Sequence, residues 1–457
     1  MTIDYVRGSL RESLMQTEME RLNRVNDAWL HYTGQSEDVI SLGADGSNDN
    51  IRINLSRALV SKGVSWLLGA DRALTFSIED DESAEEKLEE AWPIERRSLA
   101  LNHLAVNGGV VGHTFARLTA DGRVVVWDPS NVTPLWDDED IDHVYEYRNQ
   151  WTVGFDTDGP SVRRQRVIEQ ESTWLIIDEE SRTSGDSWQE LRREVWPYDW
   201  APVFHCQNMP MPNEFWGQAD LEQDVLDLID AIEVIAGYSK KIVRHKGHPL
   251  PYTTGEAAKN IEQIDVSVGQ FLAIPNEQAK VGQLEATSLE GVLDLYAKLW
   301  EAFHYTTRTP PIAFGIINMS NVAEETVELA YSPAVEKTWD KRLTYGPMFT
   351  ELTGRILELA GTADKRPVPQ WGQIIPRSAG AEAAALEADR RMGIVSKETA
   401  AEQRGYDWEI EEERLAGEAE VAAETARRMF DAGTGGMPTP PPGNGGPPPR
   451  PVIANDA

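Results

Sequence analysis

Residues 207–241 read QNMPMPNEFWGQADLEQDVLDLIDAIEVIAGYSKK, and residues 308–330 read RTPPIAFGIINMSNVAEETVELA. The first stretch opens an amphipathic helix, predicted over 217–246, with Leu221, Val225, Leu228, Ile232 and Ile235 recurring at helical spacing. Asp220, Glu222, Asp224, Asp227, Asp230 and Glu233 fill its first half. Lys240, Lys241, Arg244, His245 and Lys246 fill its last turns, the polarity a helix dipole favours. Residues 247–288, opened by GHPLPYTTG, are broken by Pro and Gly and predict short strands and turns. A second helix follows over 289–308. Thr287-Ser288-Leu289-Glu290 is a capping-box pattern for it, and Leu289, Val292, Leu293, Tyr296, Leu299 and Phe303 line its face. Pro310-Pro311 cannot continue that helix. The loop IAFGIINMSN comes next, with core-like Ile312, Phe314, Ile316 and Ile317. Asn321 with Glu324 then caps a third helix to about Leu359, with a break expected at Pro333 or at Gly346-Pro347. The pattern is two helices flanking a small inserted unit.

Working outward, residues 4–31 read as a charged helix with Leu10, Leu14, Leu22, Val25 and Trp29 as its apolar positions, ending near Gly34. Asn54 can cap a helix whose face carries Leu55, Leu59, Val64, Leu67 and Leu68, closed by Gly69. Residues 84–107 give another helix, interrupted at Pro93. From 110 to 205 the pattern changes to period two, with Asp121-Gly122 as a hairpin signal, so a mostly antiparallel sheet is expected. QWGQIIPRS reads as a final strand, and Ala/Glu-rich 380–431 as helical with a capped start at Ser396. The Pro/Gly-rich tail from Gly433 predicts disorder. The fold class is α+β.

At 457 residues the chain is long enough for two or three cores. Its net charge of −33 excludes general affinity for nucleic acid, which basic surfaces supply. Cys206 is the only cysteine, so no intramolecular disulfide can form, which fits a reducing compartment. The N-terminal stretch lacks the apolar core of a signal peptide, and no apolar run approaches a membrane span of roughly 20 residues; no membrane association is expected. The dipeptide Gly-Lys is absent, which excludes a P-loop motor. DGSNDN at Asp45 imitates the start of a calcium loop but has Asn50 in place of Gly and Ser56 in place of the bidentate Glu. The run Asp137, Asp138, Glu139, Asp140, Asp142 reads as a charged loop between strands, and His245 with His248 has no carboxylate or Cys cluster beside it. No G-x-S-x-G is present. No enzyme activity, metal or cofactor is expected.

Five segments in order carry a resemblance. WLHYTG (29–34), INLSRALVSKGVSWLLG (53–69), VVVWDPSNVTPLW (124–136), FHCQNMPMPNEFWGQADLEQDVLDLIDAIEV (204–234) and GIVSKETAAEQRGYDWEIEEERLAGE (393–418) together resemble the portal proteins of tailed bacteriophages, over most of residues 20–425. One departure is Ser320-Asn321, where the family often has Ser-Gly. The resemblance implies a protomer with an α+β wing (1–216), a two-helix stem (217–246 and 289–308) and a small α/β clip (247–288). A tunnel loop, long wing helix and closing strand (309–379), a helical crown (380–431) and a disordered tail (432–457) complete it. It implies a twelve-fold ring at one capsid vertex that conducts double-stranded DNA in packaging and ejection. Implied partners are the terminase large subunit, a head-tail adaptor, and the major capsid and scaffolding proteins. The implied location is the virion, with the host cytoplasm as the site of assembly. Pro311, Ile312, Phe314, Ile316, Ile317, Asn318, Met319, Ser320 and Asn321 would form the tunnel loop. A minor capsid adaptor without a DNA channel is the alternative.

Helix geometry is a check on the ring that the resemblance implies. Helices packed about 8–10 Å apart give, for twelve, a circle of ~35 Å diameter at the axes. Subtracting a helix width of roughly 10 Å leaves about 25 Å clear, enough for a B-form duplex of roughly 20 Å. Six would leave only about 8 Å. An acidic lumen in that ring would repel phosphates and let a duplex slide. Lys240, Lys241, Arg244 and Lys246 offer one basic ring for transient phosphate contact, or else pair with acidic groups on neighbouring subunits.

Overall fold

The computed structural model describes residues 2–40, 48–70, 72–78, 81–137, 139–156, 159–171, 173–181, 187–247, 251–254, 272–274, 282–283, 290–315, 324–375, 379–402 and 404–434. The chain divides into two compact units, Met1–Ile375 and Pro376–Ala457.

In the first unit, helix α1 (Thr2–Thr33) precedes α2 (Leu55–Leu68). The Asn54 side chain accepts from the Arg57 N–H at 2.9 Å, the expected cap, and Leu55, Leu59, Val60, Val64, Leu67 and Leu68 are buried. Strand β1 (Thr75–Ser77) leads to α3 (Glu82–Ala91) and α4 (Ile94–Val111). The interrupted helix expected over 84–107 is thus two helices. Pro93 is the N-cap of α4, while the Trp92 N–H closes α3 on Leu88 O.

Eight strands follow: β2 (His113–Leu118), β3 (Val124–Trp127), β4 (Val132–Trp136), β5 (Val144–Asp156), β6 (Gly159–Gln170), β7 (Thr173–Ser181), β8 (Gln189–Trp196) and β9 (Val203–Gln207). They form two antiparallel sheets, β3-β2-β9 and β4-β5-β6-β7-β8. Gly122, at φ +78°, supplies the turn of the predicted hairpin, which sets Phe115 opposite Trp127. Phe115, Trp127, Val167, Trp196 and Phe204 join α2 and α4 in the main core.

Helix α5 (Gln223–Gly247), strands β10 (Pro251–Thr254), β11 (Leu272–Ile274) and β12 (Gly282–Gln283), and helix α6 (Glu290–Thr307) come next. The three short strands form one sheet, order β11-β10-β12, with β10 and β11 parallel. A 3₁₀ turn at Pro311–Phe314 precedes α7 (Glu324–Leu359), and β13 (Val368–Gln370) pairs antiparallel with β1.

Three expectations are corrected. Helix α5 begins at Gln223 rather than 217, because residues 217–222 make a turn: the Ala219 N–H donates to Glu222 Oε1 at 2.7 Å, and the Asp220 N–H to Gly109 O at 2.8 Å. Helix α7 runs unbroken through Pro333 and Pro347. Both prolines are exposed, while Tyr331, Ala334, Tyr345, Phe349, Leu352 and Ile356 bury the other face. That packing offsets an interior-proline cost of about 3 kcal/mol each. The closing strand lies at 368–370, slightly before the predicted stretch, where it meets β1.

The second unit holds α8 (Ala379–Arg391), α9 (Lys397–Glu402) and α10 (Trp408–Thr434). Ser396 Oγ accepts from the Thr399 N–H at 3.1 Å, the expected capped start. No helix among the described residues is long and apolar enough to cross a membrane. Outside the described residues lie the Asp45 segment, Asp138, His248, most of the 247–288 insert with Leu289, the loop residues Ile316, Ile317, Asn318, Met319, Ser320 and Asn321, and the tail from residue 435.

Candidate functional site

Helices α5 and α6 form a hairpin, and the buried side chains place its root. On α5, burial is concentrated in the first turns, at Val225, Leu226, Ile229 and Ile232; on α6 only Phe303 and Thr307, in the last turns, are buried. Both helices therefore root in the body at the base of the hairpin, the start of α5 and the end of α6, and the inserted β10–β12 sheet connects their other ends. At 1.5 Å rise per residue, α5 extends about 37 Å and α6 about 27 Å. Of the predicted packing positions, Val225, Ile232 and Phe303 are buried, Leu221 is buried in the turn before α5, and Leu228, Ile235, Val292, Tyr296 and Leu299 are half-buried. Leu226 and Ile229 pack more deeply than the predicted Leu228, because the buried stripe is turned by one residue.

An ionic cluster fastens this root. Asp220 Oδ2 lies 2.6 Å from Lys341 Nζ and Asp220 Oδ1 lies 2.8 Å from Lys337 Nζ, with side-chain exposures of 1%, 3% and 7% for Asp220, Lys341 and Lys337. Lys337 Nζ also donates to Thr307 O at 3.1 Å, so one ammonium joins the turn before α5, the end of α6 and the middle of α7. Burial works against the Asp220 charge, but the two lysines outweigh it and lower its pKa to about 2. Burial lowers the pKa of Lys341. Gly63 and Gly109 make the room: a Cβ on either would stand 3.0–3.1 Å from Asp220 Oδ2. Arg308, at φ +53°, turns the chain after α6 and pairs with Asp340 at 3.0 Å.

Other acidic residues of this helix have local work. Asp230 Oδ1 meets His31 Nε2 at 3.1 Å, and Glu233 Oε1 accepts from the Ile53 N–H at 2.8 Å, tying α1 and the start of α2 to α5. Sequence reasoning read these carboxylates as a helix-dipole pattern; their distant partners carry no sequence signal. Of the basic residues, Lys240 is exposed and donates to Asn48 O at 3.0 Å, and Lys241 is half-buried. Arg244 and Lys246 lie on the α5 backbone, and their side chains fall outside the described set.

The predicted loop residues separate. Ile312 is 9% exposed and packs with Trp66, Ala313, Tyr331 and Ala334; Phe314 lies half-buried against Phe303. Pro311 opens the 3₁₀ turn. The Ile312 side chain is thus a core group, held there by its fit against Trp66, and is not available to line an opening. Apolar side chains stand uncovered instead along the helices: Tyr238 and Val243 of α5, Leu293 and Tyr305 of α6, Leu329 and Trp339 of α7. Tyr305 is 87% exposed and Leu329 76%, so these helices present apolar surface that a lone chain leaves in water. Among the described residues no group of three or more His, Cys, Asp or Glu is placed to hold a metal ion.

No family model matches the chain, and no curated protein matches it. Chains from gene transfer agent particles resemble it. One belongs to the neck of a native gene transfer agent particle computed with C12 symmetry, another to the native virion; each is 10% identical, with a TM-score of 0.40 over 76% of this chain and 90% of that chain. A chain from the neck of an empty particle computed with C6 symmetry is 11% identical, with a TM-score of 0.40 over 77% and 91%. A TM-score of 0.40 carries no functional argument, so function rests on the hairpin and its surfaces.

Proposed function

We propose that this chain is the subunit of a portal ring, a structural conduit for double-stranded DNA at one capsid vertex, and not an enzyme. The observation that carries the reading is the hairpin of α5 and α6, rooted at both ends in one buried ionic cluster, interrupted by a small sheet and followed by a 36-residue helix. Its uncovered apolar side chains fit burial against neighbouring copies. In this arrangement α5 and α6 are the stem and the β10–β12 insert is the clip, a docking platform for the terminase large subunit and later for a head-tail adaptor. The wing and crown would face capsid and scaffolding proteins. The acidic chain keeps contact with DNA weak.

Native mass spectrometry with particle images tests the reading. Twelve chains of 51.0 kDa give 12 × 51.0 = 612 kDa, with an opening of about 25 Å. A closed oligomer without an opening overturns it and favours a minor capsid adaptor. Neutralising Lys240, Lys241, Arg244 and Lys246 together tests the basic ring; unchanged packaging and DNA retention would remove that role.

A further inference from the structure

A cavity of about 710 Å³ opens beside the β3-β2-β9 sheet. His113 of β2, His205 of β9 and Phe215 make an aromatic floor, with the His113 and Phe215 rings stacked at 4.8 Å. His113 is 1% exposed, and its Nε2 lies 3.1 Å from His205 Nδ1. His113 Nδ1 is buried with no hydrogen-bond partner. In the tautomer where His113 Nε2–H donates to His205, that Nδ1 is a bare acceptor, suited to an incoming N–H donor.

The walls differ in kind. Leu343 and Pro347 of α7 make an apolar side, and Leu343 is 70% exposed. Across from them stand the exposed carboxylates of Glu139, Asp140, Asp142 and Glu214, and no Lys or Arg is among the lining residues. Gln207 holds one wall in place: its Oε1 accepts from the Met211 N–H at 2.8 Å and its Nε2 donates to Glu214 O at 2.6 Å. The site therefore combines four negative charges, an aromatic floor, an unused acceptor and an apolar flank.

We propose that this groove binds a segment of a partner protein in which Arg or Lys is flanked by apolar residues. The cation enters among the four carboxylates, which pair with its N–H groups, and the apolar flank lies on Leu343 and Pro347. The proposal is independent of whether the chain forms a ring.

The test is fluorescence anisotropy of the full chain with a fluorescein-labelled peptide carrying two Arg flanked by Leu and Pro, in salt of about 0.15 M. Asp140→Asn with Asp142→Asn removes two charges and keeps the acceptor that Asp140 offers the Asp142 N–H. Binding should weaken roughly five-fold, as two partly exposed ion pairs dictate. Leu343→Ser should weaken it by a similar factor. Glu86→Gln with Glu90→Gln, exposed carboxylates on α3, is the control for the general charge of −33 and should change nothing. Equal losses from both charge pairs, or no saturable binding, overturn the proposal. Displacement of the peptide by an equal concentration of spermidine overturns the peptide assignment in favour of a free polyamine.

Discussion

Removing the Asp220 carboxylate tests the account of how the hairpin is anchored. Asp220 stands 2.6 and 2.8 Å from two ammonium groups, all three side chains nearly free of solvent. At an effective dielectric constant of about 20, each contact is worth roughly 6 kcal/mol of gross attraction, most of it offset by desolvation. Asp220→Asn leaves two buried cations with no counter-charge, the situation in which breaking a buried pair costs about 3–5 kcal/mol. Lys341→Met leaves a balanced Asp220–Lys337 pair and fills similar volume, so its cost should be at most about half of that. Urea denaturation of the full chain, followed by far-ultraviolet circular dichroism and Trp fluorescence, measures both. The depressed Asp220 pKa adds a pH signature. The stabilisation is fully present above the unfolded value of about 3.9 and fades as pH falls toward about 2. Asp220→Asn should lack that fading. If Lys341→Met costs as much as Asp220→Asn, the excess-charge reasoning is wrong and the cluster acts through packing alone.

Burial lowers the pKa of His205 to about 4 and that of His113 well below its usual value, so the unfolded chain binds more protons between those limits. Stability should be full above about pH 7 and fall toward pH 4.5, with His205 alone contributing on the order of 2–3 kcal/mol; His205→Gln should remove that share of the fall in thermal midpoint and leave the share that His113 carries. Gly112, at φ +88°, packs so closely that a Cβ would stand 2.2 Å from Gly217 O. Gly112→Ala should therefore cost about 2–4 kcal/mol in denaturant titrations. Gly122→Ala, at a similar φ with nothing within 4 Å, should cost only about 1 kcal/mol. Tyr305→Ser and Leu329→Ser should leave the lone chain's stability within about 0.5 kcal/mol and shift native mass spectra from ring to monomer; unchanged assembly would remove these side chains from the subunit contact.

Local chemistry reported locally determined structure well. Asn54 and Ser396 cap the helices that their spacing announces, Asp121-Gly122 turns its hairpin, and the apolar period brackets α6 to within one residue at each end. The signals failed where long-range packing outweighs local preference. Pro333 and Pro347 argue for a break in α7, yet a continuous buried face opposite them keeps the helix whole. Residues 217–222 look like the first turn of α5, but the close approach of Gly217 to Gly112 bends them away.

By itself the sequence determined the element order, the α+β class, the net charge of −33 and the helix-insert-helix pattern. Periodicity, caps and net charge are properties of neighbours in the chain or of the chain as a whole. Only the tertiary structure decided what each charged or aromatic side chain does. Asp220 lies more than 100 residues before Lys337 and Lys341, yet the three become one cluster. Ile312 leaves the predicted loop for the core, and His113 meets His205 across a strand pair beside an acidic rim. Those contacts depend on which faces the folded elements press together, and no local spacing carries that information.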